Sequence, residues 1–120
     1  MNSISFFTAL LVTHIIADWL FQTNWESKNK DKKLLPLLVH STVYSLSFIP
    51  AFYFYKVSFF WLILLFVTHA ILDQRKVELW FLRLKGCRKE EMPEAKFVIL
   101  LMGVDQAFHI IFLAIIALLN

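Results

Sequence analysis

The sequence predicts an all-α membrane protein, four transmembrane helices packed as a bundle, on three observations. Of its 120 residues, 59% are hydrophobic and only two are glycine, with a mean hydropathy of +0.65. A soluble domain of this length cannot bury that much apolar surface, so lipid is the expected solvent for much of the chain. The apolar residues fall into four runs of roughly the 20 residues that a span requires. The basic residues lie mainly between those runs.

The first run, residues 3–22, opens without a basic flank or a small-residue cleavage site, and Asp18 interrupts it. It therefore reads as a mature helix and not as a signal peptide. The second, residues 34–55, carries Pro36 in its first turn, where a missing N–H is harmless, and Pro50 late, as a candidate kink. A tight link at Lys56 joins it to the third run, residues 57–73, as a hairpin. Pro93 followed by Glu94 marks the start of the fourth, residues 95–119. Residues 1–120 are thus expected to form a single transmembrane domain. The stretch Val77 to Leu84, apolar and aromatic with interspersed charge, either extends the third helix or lies along the membrane surface.

Charge orients this arrangement. Lys28, Lys30, Lys32 and Lys33 occupy the loop 24–33, while Arg75, Lys76, Arg83, Lys85, Arg88 and Lys89 occupy the loop 74–94. The positive-inside rule places both loops in the cytoplasm and both termini outside. Trp25 and Trp80 then belong to the inner interface, and Tyr53, Tyr55 and Trp61 to the outer one. The pI near 9.1 is a topology signal on this reading, and no nucleic-acid partner is expected. The lone Cys87 excludes an internal disulfide and a cysteine-rich metal site.

The chemistry lies in ionisable residues inside the apolar runs. His14 precedes Asp18 by four residues, His69 precedes Asp73 by four, and Asp105 precedes His109 by four. That spacing puts both side chains on one helix face. With alternating helix directions, the three aspartates fall on the cytoplasmic side of their histidines, and His40 joins from the second helix. An ionisable group at bilayer depth costs at least ~2.5 kcal/mol, so it persists where it has a partner or a task. Val12-Thr13-His14 followed by Asp18 echoes Val67-Thr68-His69 followed by Asp73, as a duplicated helical hairpin would.

Imidazole and carboxylate together are ligands for Zn²⁺, Mn²⁺ or Fe²⁺, and helical bundles build such sites from inward side chains three or four residues apart. The candidate ligands are His14, Asp18, His40, His69, Asp73, Asp105 and His109, with one of the three aspartates free to act as general base. Some aspartates could instead orient the histidines through the distal N–H. Two metals sharing carboxylates are also open with this many donors. Gln22 and Gln106 are candidates for hydrogen bonds to substrate or ligand carboxylates, and Lys76 with Arg75 for capture of a phosphate. Against this, snorkelling explains Lys76 and Arg75, Thr13 and Thr68 are expected to bond back to their own helices, and one His/Asp pair could simply staple two helices. Four histidines converging at one depth are harder to explain by stapling.

The ordered set His14-x-x-x-Asp18-x-x-x-Gln22, His40, His69-x-x-x-Asp73-x-x-Lys76 and Asp105-Gln106-x-x-His109 resembles a family of small bacterial membrane proteins, domain of unknown function 3307. The strings ADWLFQ, LLVH, THAILD and VDQAFH carry the likeness, with Trp19 where Phe is usual. The resemblance implies a bacterial or phage-borne integral membrane protein, with the bacterial inner membrane as its expected location, and brings no activity. From the site itself, the leading reading is a metal-dependent hydrolase acting on a lipid-linked or phosphorylated substrate. A divalent-cation or proton transporter would require a homo-oligomer, since four short helices enclose little. A haem bundle fits poorly with aspartates beside the histidines. A membrane adaptor with a polar stapling core is the remaining alternative.

Overall fold

The computed structural model describes residues 2–120, and among the described residues every regular element is helical. Helix α1 spans Ser3–Ile15, with Asn2 accepting the Ile4 N–H at 2.9 Å as its cap. It runs into a π-helical turn at Ile16–Leu20. A short helix α2, Asn24–Asn29, follows behind a capping box: Glu26 N–H donates to Thr23 Oγ1, and Thr23 N–H donates to Glu26 Oε2 at 2.6 Å. That reciprocal pair accounts for the burial of Glu26.

Helix α3 spans Leu34–Leu46 with Pro36 in its first turn as expected, and α4 spans Ile49–Tyr55. The kink foreseen at Pro50 is a break. Pro50 has no N–H to continue the ladder, so it sits in the first turn of a new helix. Lys56, at φ 56°, closes α4 in the left-handed conformation. The third run begins later than its hydropathy suggests. Val57 N–H returns to Phe52 O, which spends residues 57–59 on the turn, and α5 covers Phe60–Asp73. Its 14 residues rise about 21 Å, short of a ~30 Å hydrocarbon core.

Arg75, at φ 61°, breaks the chain after α5, so the amphipathic stretch is a separate helix, α6, Lys76–Leu84, and not an extension. Pro93 precedes α7, Glu94–Leu119, the longest element at 26 residues. Three segments are long and apolar enough to cross a membrane: Ser3–Leu20, Leu34–Tyr55 and Glu94–Leu119.

α3 packs on α5, and α1 on α7. At one end of the molecule Phe6, Leu10, Phe48, Phe52, Leu113 and Ile116 form a wholly apolar core. At the other, Leu82 of α6 packs on Phe97 and Leu101 of α7. Between them every histidine is buried, while Ile4, Leu20, Ile63, Ile99 and Leu118 face outward. Polar inside and apolar outside is the arrangement expected of a chain solvated by lipid. Thr13 and Thr68 do bond back to their own helices, to Ala9 O and Leu64 O.

Candidate metal centre

Asp18 lies within the π-helical turn. An i→i+5 turn rotates the residues after it relative to α-helical register. Asp18 is hydrogen-bonded across to α3, with His40 Nε2 2.9 Å from its Oδ1, while His14, one turn earlier, finds other partners. In α5 the register is regular, and His69 Nε2 lies 3.0 Å from Asp73 Oδ2. His40 Nε2 is 3.2 Å from the same Asp73 oxygen, and His69 Nε2 is 3.8 Å from Asp18 Oδ1. Asp18, His40, His69 and Asp73 thus offer one ligand atom each, all within 4.8 Å of one another, and could hold a metal ion. Tetrahedral ligands at 2.0–2.1 Å from an ion stand about 3.3 Å apart, within the 2.9–3.8 Å that separates the histidine nitrogens from the aspartate oxygens.

The hydrogen-bond chain behind this set leaves donors for an ion. His109 Nδ1 lies 2.7 Å from the carbonyl oxygen of Asp105, which can only accept, so Nδ1 carries the proton. In neutral His109, Nε2 is then bare and accepts from His69 Nδ1 at 2.9 Å. Neutral His69 in turn has a bare Nε2 facing Asp73 Oδ2. Both of those atoms are buried without a well-aligned hydrogen bond, and Lys30 Nζ stands 3.1 Å and His40 Nε2 3.2 Å from the same Asp73 oxygen. A lone pair aimed at a carboxylate oxygen in a low-dielectric core is repulsive unless a cation lies beside them, and the Lys30 ammonium holds that place in this structure. Two imidazoles and two carboxylates are donors of the kind that hold a divalent ion, which would take the place of that ammonium.

His14, predicted as a ligand, has both ring nitrogens engaged. Nε2 donates to Gln106 Oε1 and Nδ1 accepts from the Tyr44 hydroxyl, each at 2.9 Å. Gln106 Nε2 then donates to Asp18 Oδ2 and Asp105 Oδ2, both at 3.3 Å. The side-chain amide orientation follows, because the reverse would set its oxygen against two carboxylates. His14 thus holds Gln106, and Gln106 aims the carboxylates. Replacing His14 by leucine is expected to weaken metal binding by about 10- to 100-fold without abolishing it, read by competition against a chelator of known affinity.

Asp73, Asp105 and His109 form a second group of donors, sharing Asp73 with the first. His109 Nε2 is 3.7 Å from Asp73 Oδ1, as His40 is close to Asp18 in the other hairpin. Both nitrogens of His109 are already engaged, so this group has fewer free donors. Asp105 keeps one buried oxygen, Oδ1, without a hydrogen-bond partner.

Three residues of this region were not anticipated. Lys30 reads in the sequence as one of four loop lysines, yet it is buried, with Nζ 3.1 Å from Asp73 Oδ2 and 3.8 Å from Asp18 Oδ1. Tyr44, stacked on His69 with ring centroids 3.6 Å apart, stands four residues after His40, a spacing that could have revealed it. Glu78 lies fully buried on the same face of α6 as Leu82. Burial, together with the neighbouring Asp105 carboxylate, pushes its carboxyl up to about 7 from 4.5. The folded chain then holds a proton that the unfolded chain has released, so stability should fall as pH rises from about 4.5 through 7. In chelator-treated protein, Glu78→Gln is expected to flatten that fall in thermal unfolding measured across the same range.

Gln22 lines a cavity of about 220 Å³ with Asp18, Lys30, Arg75, Asp105 and Gln106. Lys76 is exposed and borders a separate depression beside Lys30, Lys32 and Lys33. The carboxylates of the centre are thus reached through the cavity that Gln22 lines, and Lys76 does not line it.

Neither a curated protein nor a solved structure matches the chain. The profile of a family described as "Protein of unknown function (DUF3307)" matches residues 6–120, nearly the whole chain, so the protein belongs to that family.

Proposed function

We propose that the chain is an integral membrane protein of four transmembrane helices in which Asp18, His40, His69 and Asp73 bind a divalent metal. We further propose that it acts as a metal-dependent hydrolase on a lipid-linked or phosphorylated substrate. The observation that carries this is the convergence of four buried donor atoms, all within 4.8 Å of one another. The ion would supply Lewis acidity at a phosphoryl or carbonyl oxygen. Asp105, which lines the 220 Å³ cavity, would take the proton of an attacking water. Gln106 keeps that carboxylate oriented through Oδ2, and Lys30 and Arg75 line the same cavity to receive an anion.

The basic loops support an orientation with this cavity at the cytoplasmic face of a bacterial inner membrane and both termini outside. The apolar core beyond Tyr44 speaks against a transporter, since Phe6, Phe48, Phe52, Leu113 and Ile116 are each fully buried and offer no polar path. The test is elemental analysis of the protein purified in detergent without chelator, beside His69→Ala/Asp73→Ala. Stoichiometric Zn, Mn or Fe, lost in the double variant, is the expected result. A well-folded wild type that takes up no metal even when it is supplied would leave the core as a polar staple and the protein as an adaptor.

A further inference from the structure

The 220 Å³ cavity is not alone on the side of the basic loops. A larger one, about 700 Å³, lies next to it, and Arg75 lines both. Its volume is within the range of small-molecule sites. Arg75, Arg83, Arg88 and Lys89 border it, against the carboxylates of Asp31 and Glu90. Among the described residues, every ion pair falls inside the His/Asp/Lys30 cluster, so these four cations have no carboxylate within 4.0 Å. None of the four donates a side-chain hydrogen bond within the chain either. Arg75 is held at φ 61°, a left-handed conformation that few residues other than glycine adopt, in the two-residue break between α5 and α6. That break brings one guanidinium to the wall shared by the two cavities.

Leu79 from α6, with Phe97 and Leu101 from α7, forms an apolar stretch of the remaining wall, beside Gln74 and Cys87. Phe97 and Leu101 are also the core on which Leu82 rests, so this wall is fixed by packing. Excess positive charge on one side and a rigid apolar wall on the other suit a molecule with a doubly charged head and a hydrocarbon stem. We infer that the 700 Å³ cavity binds the phosphomonoester head of a membrane amphiphile, with Arg75 gripping the phosphate at the entrance to the metal centre. Guanidinium groups match phosphate oxygens in pairs, which is why three arginines at one cavity point to phosphate over a carboxylate of lower charge. The inference rests on the proposed metal centre for the fate of the bound molecule, while its binding is measurable separately.

The experiment is calorimetric titration of the detergent-solubilised, zinc-loaded protein with a short-chain phosphatidate and, in parallel, with inorganic phosphate. Arg83→Ala/Arg88→Ala removes two exposed guanidinium groups of the larger cavity only, and Arg75→Gln removes the shared one. We expect phosphatidate to bind the wild type, with affinity lower by at least about tenfold in each variant. Binding should be retained in the chelator-treated wild type, whose cavity side chains are unchanged. Inorganic phosphate binding as tightly as phosphatidate would overturn the amphiphile and assign the cavity to soluble phosphates. Equal phosphatidate affinity in the wild type and both arginine variants, or no binding to any, would overturn the cavity site. A wild type that binds phosphatidate but retains no metal would sink the hydrolase reading and leave the inference about the cavity standing.

Discussion

Lys30→Met is expected to have opposite effects on the protein with and without metal. Its ammonium lies 3.1 Å from Asp73 Oδ2 and 3.8 Å from Asp18 Oδ1, the very oxygens offered to an ion. Without an ion it is the main neutralising charge for two buried carboxylates. Removing one partner of a buried ionic set costs about 3–5 kcal/mol, so the metal-free variant should unfold at a clearly lower temperature. With an ion present the ammonium is a competitor. Unit charges 4 Å apart interact by about 4 kcal/mol at an effective dielectric constant of 20. A lysine can swing away on its four-carbon stem, so only part of that repulsion persists. Metal affinity in Lys30→Met should therefore rise by about 10- to 100-fold. Thermal unfolding with and without zinc, alongside a chelator competition, reads both effects. A variant destabilised equally in both conditions would show that Lys30 and the ion do not compete for these oxygens.

Asp73→Asn should abolish metal retention altogether. Asp73 is the member common to both donor groups, and its side chain is within 3.2 Å of Lys30, His40 and His69. Asparagine keeps the shape and one oxygen but removes the charge on which both the ion and Lys30 depend. The expected loss of stability is again about 3–5 kcal/mol, since Lys30 is left with only the more distant Asp18. Asp105→Asn is the informative contrast. It leaves Asp18, His40, His69 and Asp73 intact, so metal content should stay near that of the wild type. Elemental analysis and circular dichroism melts on the two variants separate these outcomes.

Much of this was legible from spacing alone. Helix positions followed from apolar runs, and convergence of the histidines followed from the i, i+4 pairs, because both are local properties that topology merely assembles. What escaped the sequence was long-range or local in an unusual way. Nothing in Ile16-Ala17-Asp18-Trp19-Leu20 announces a π-helical turn, yet Asp18 sits in one and bonds across to His40 while His14 bonds Gln106. Lys30 could not be told from Lys28, Lys32 or Lys33 by composition. Its burial depends on α2, whose Thr23/Glu26 capping box was the one signal that the loop doubles back. Glu78 was legible in principle, since a carboxylate four residues before Leu82 on the buried face of an amphipathic helix breaks the pattern. The late start of α5 was not, because Val57, Ser58 and Phe59 are as compatible with a helix as with the turn they form.

The apolar core of Phe6, Phe48, Phe52, Leu113 and Ile116 has an electrical consequence. In a membrane it would insulate the His/Asp centre from one compartment, leaving the centre in ionic contact with the other through the basic-side cavities. An ion entering from that side would traverse little of the transmembrane field, although moving one charge through the whole of it is worth about 2.3 kcal/mol per 100 mV. Metal occupancy would then report the chemistry of a single compartment and remain indifferent to voltage.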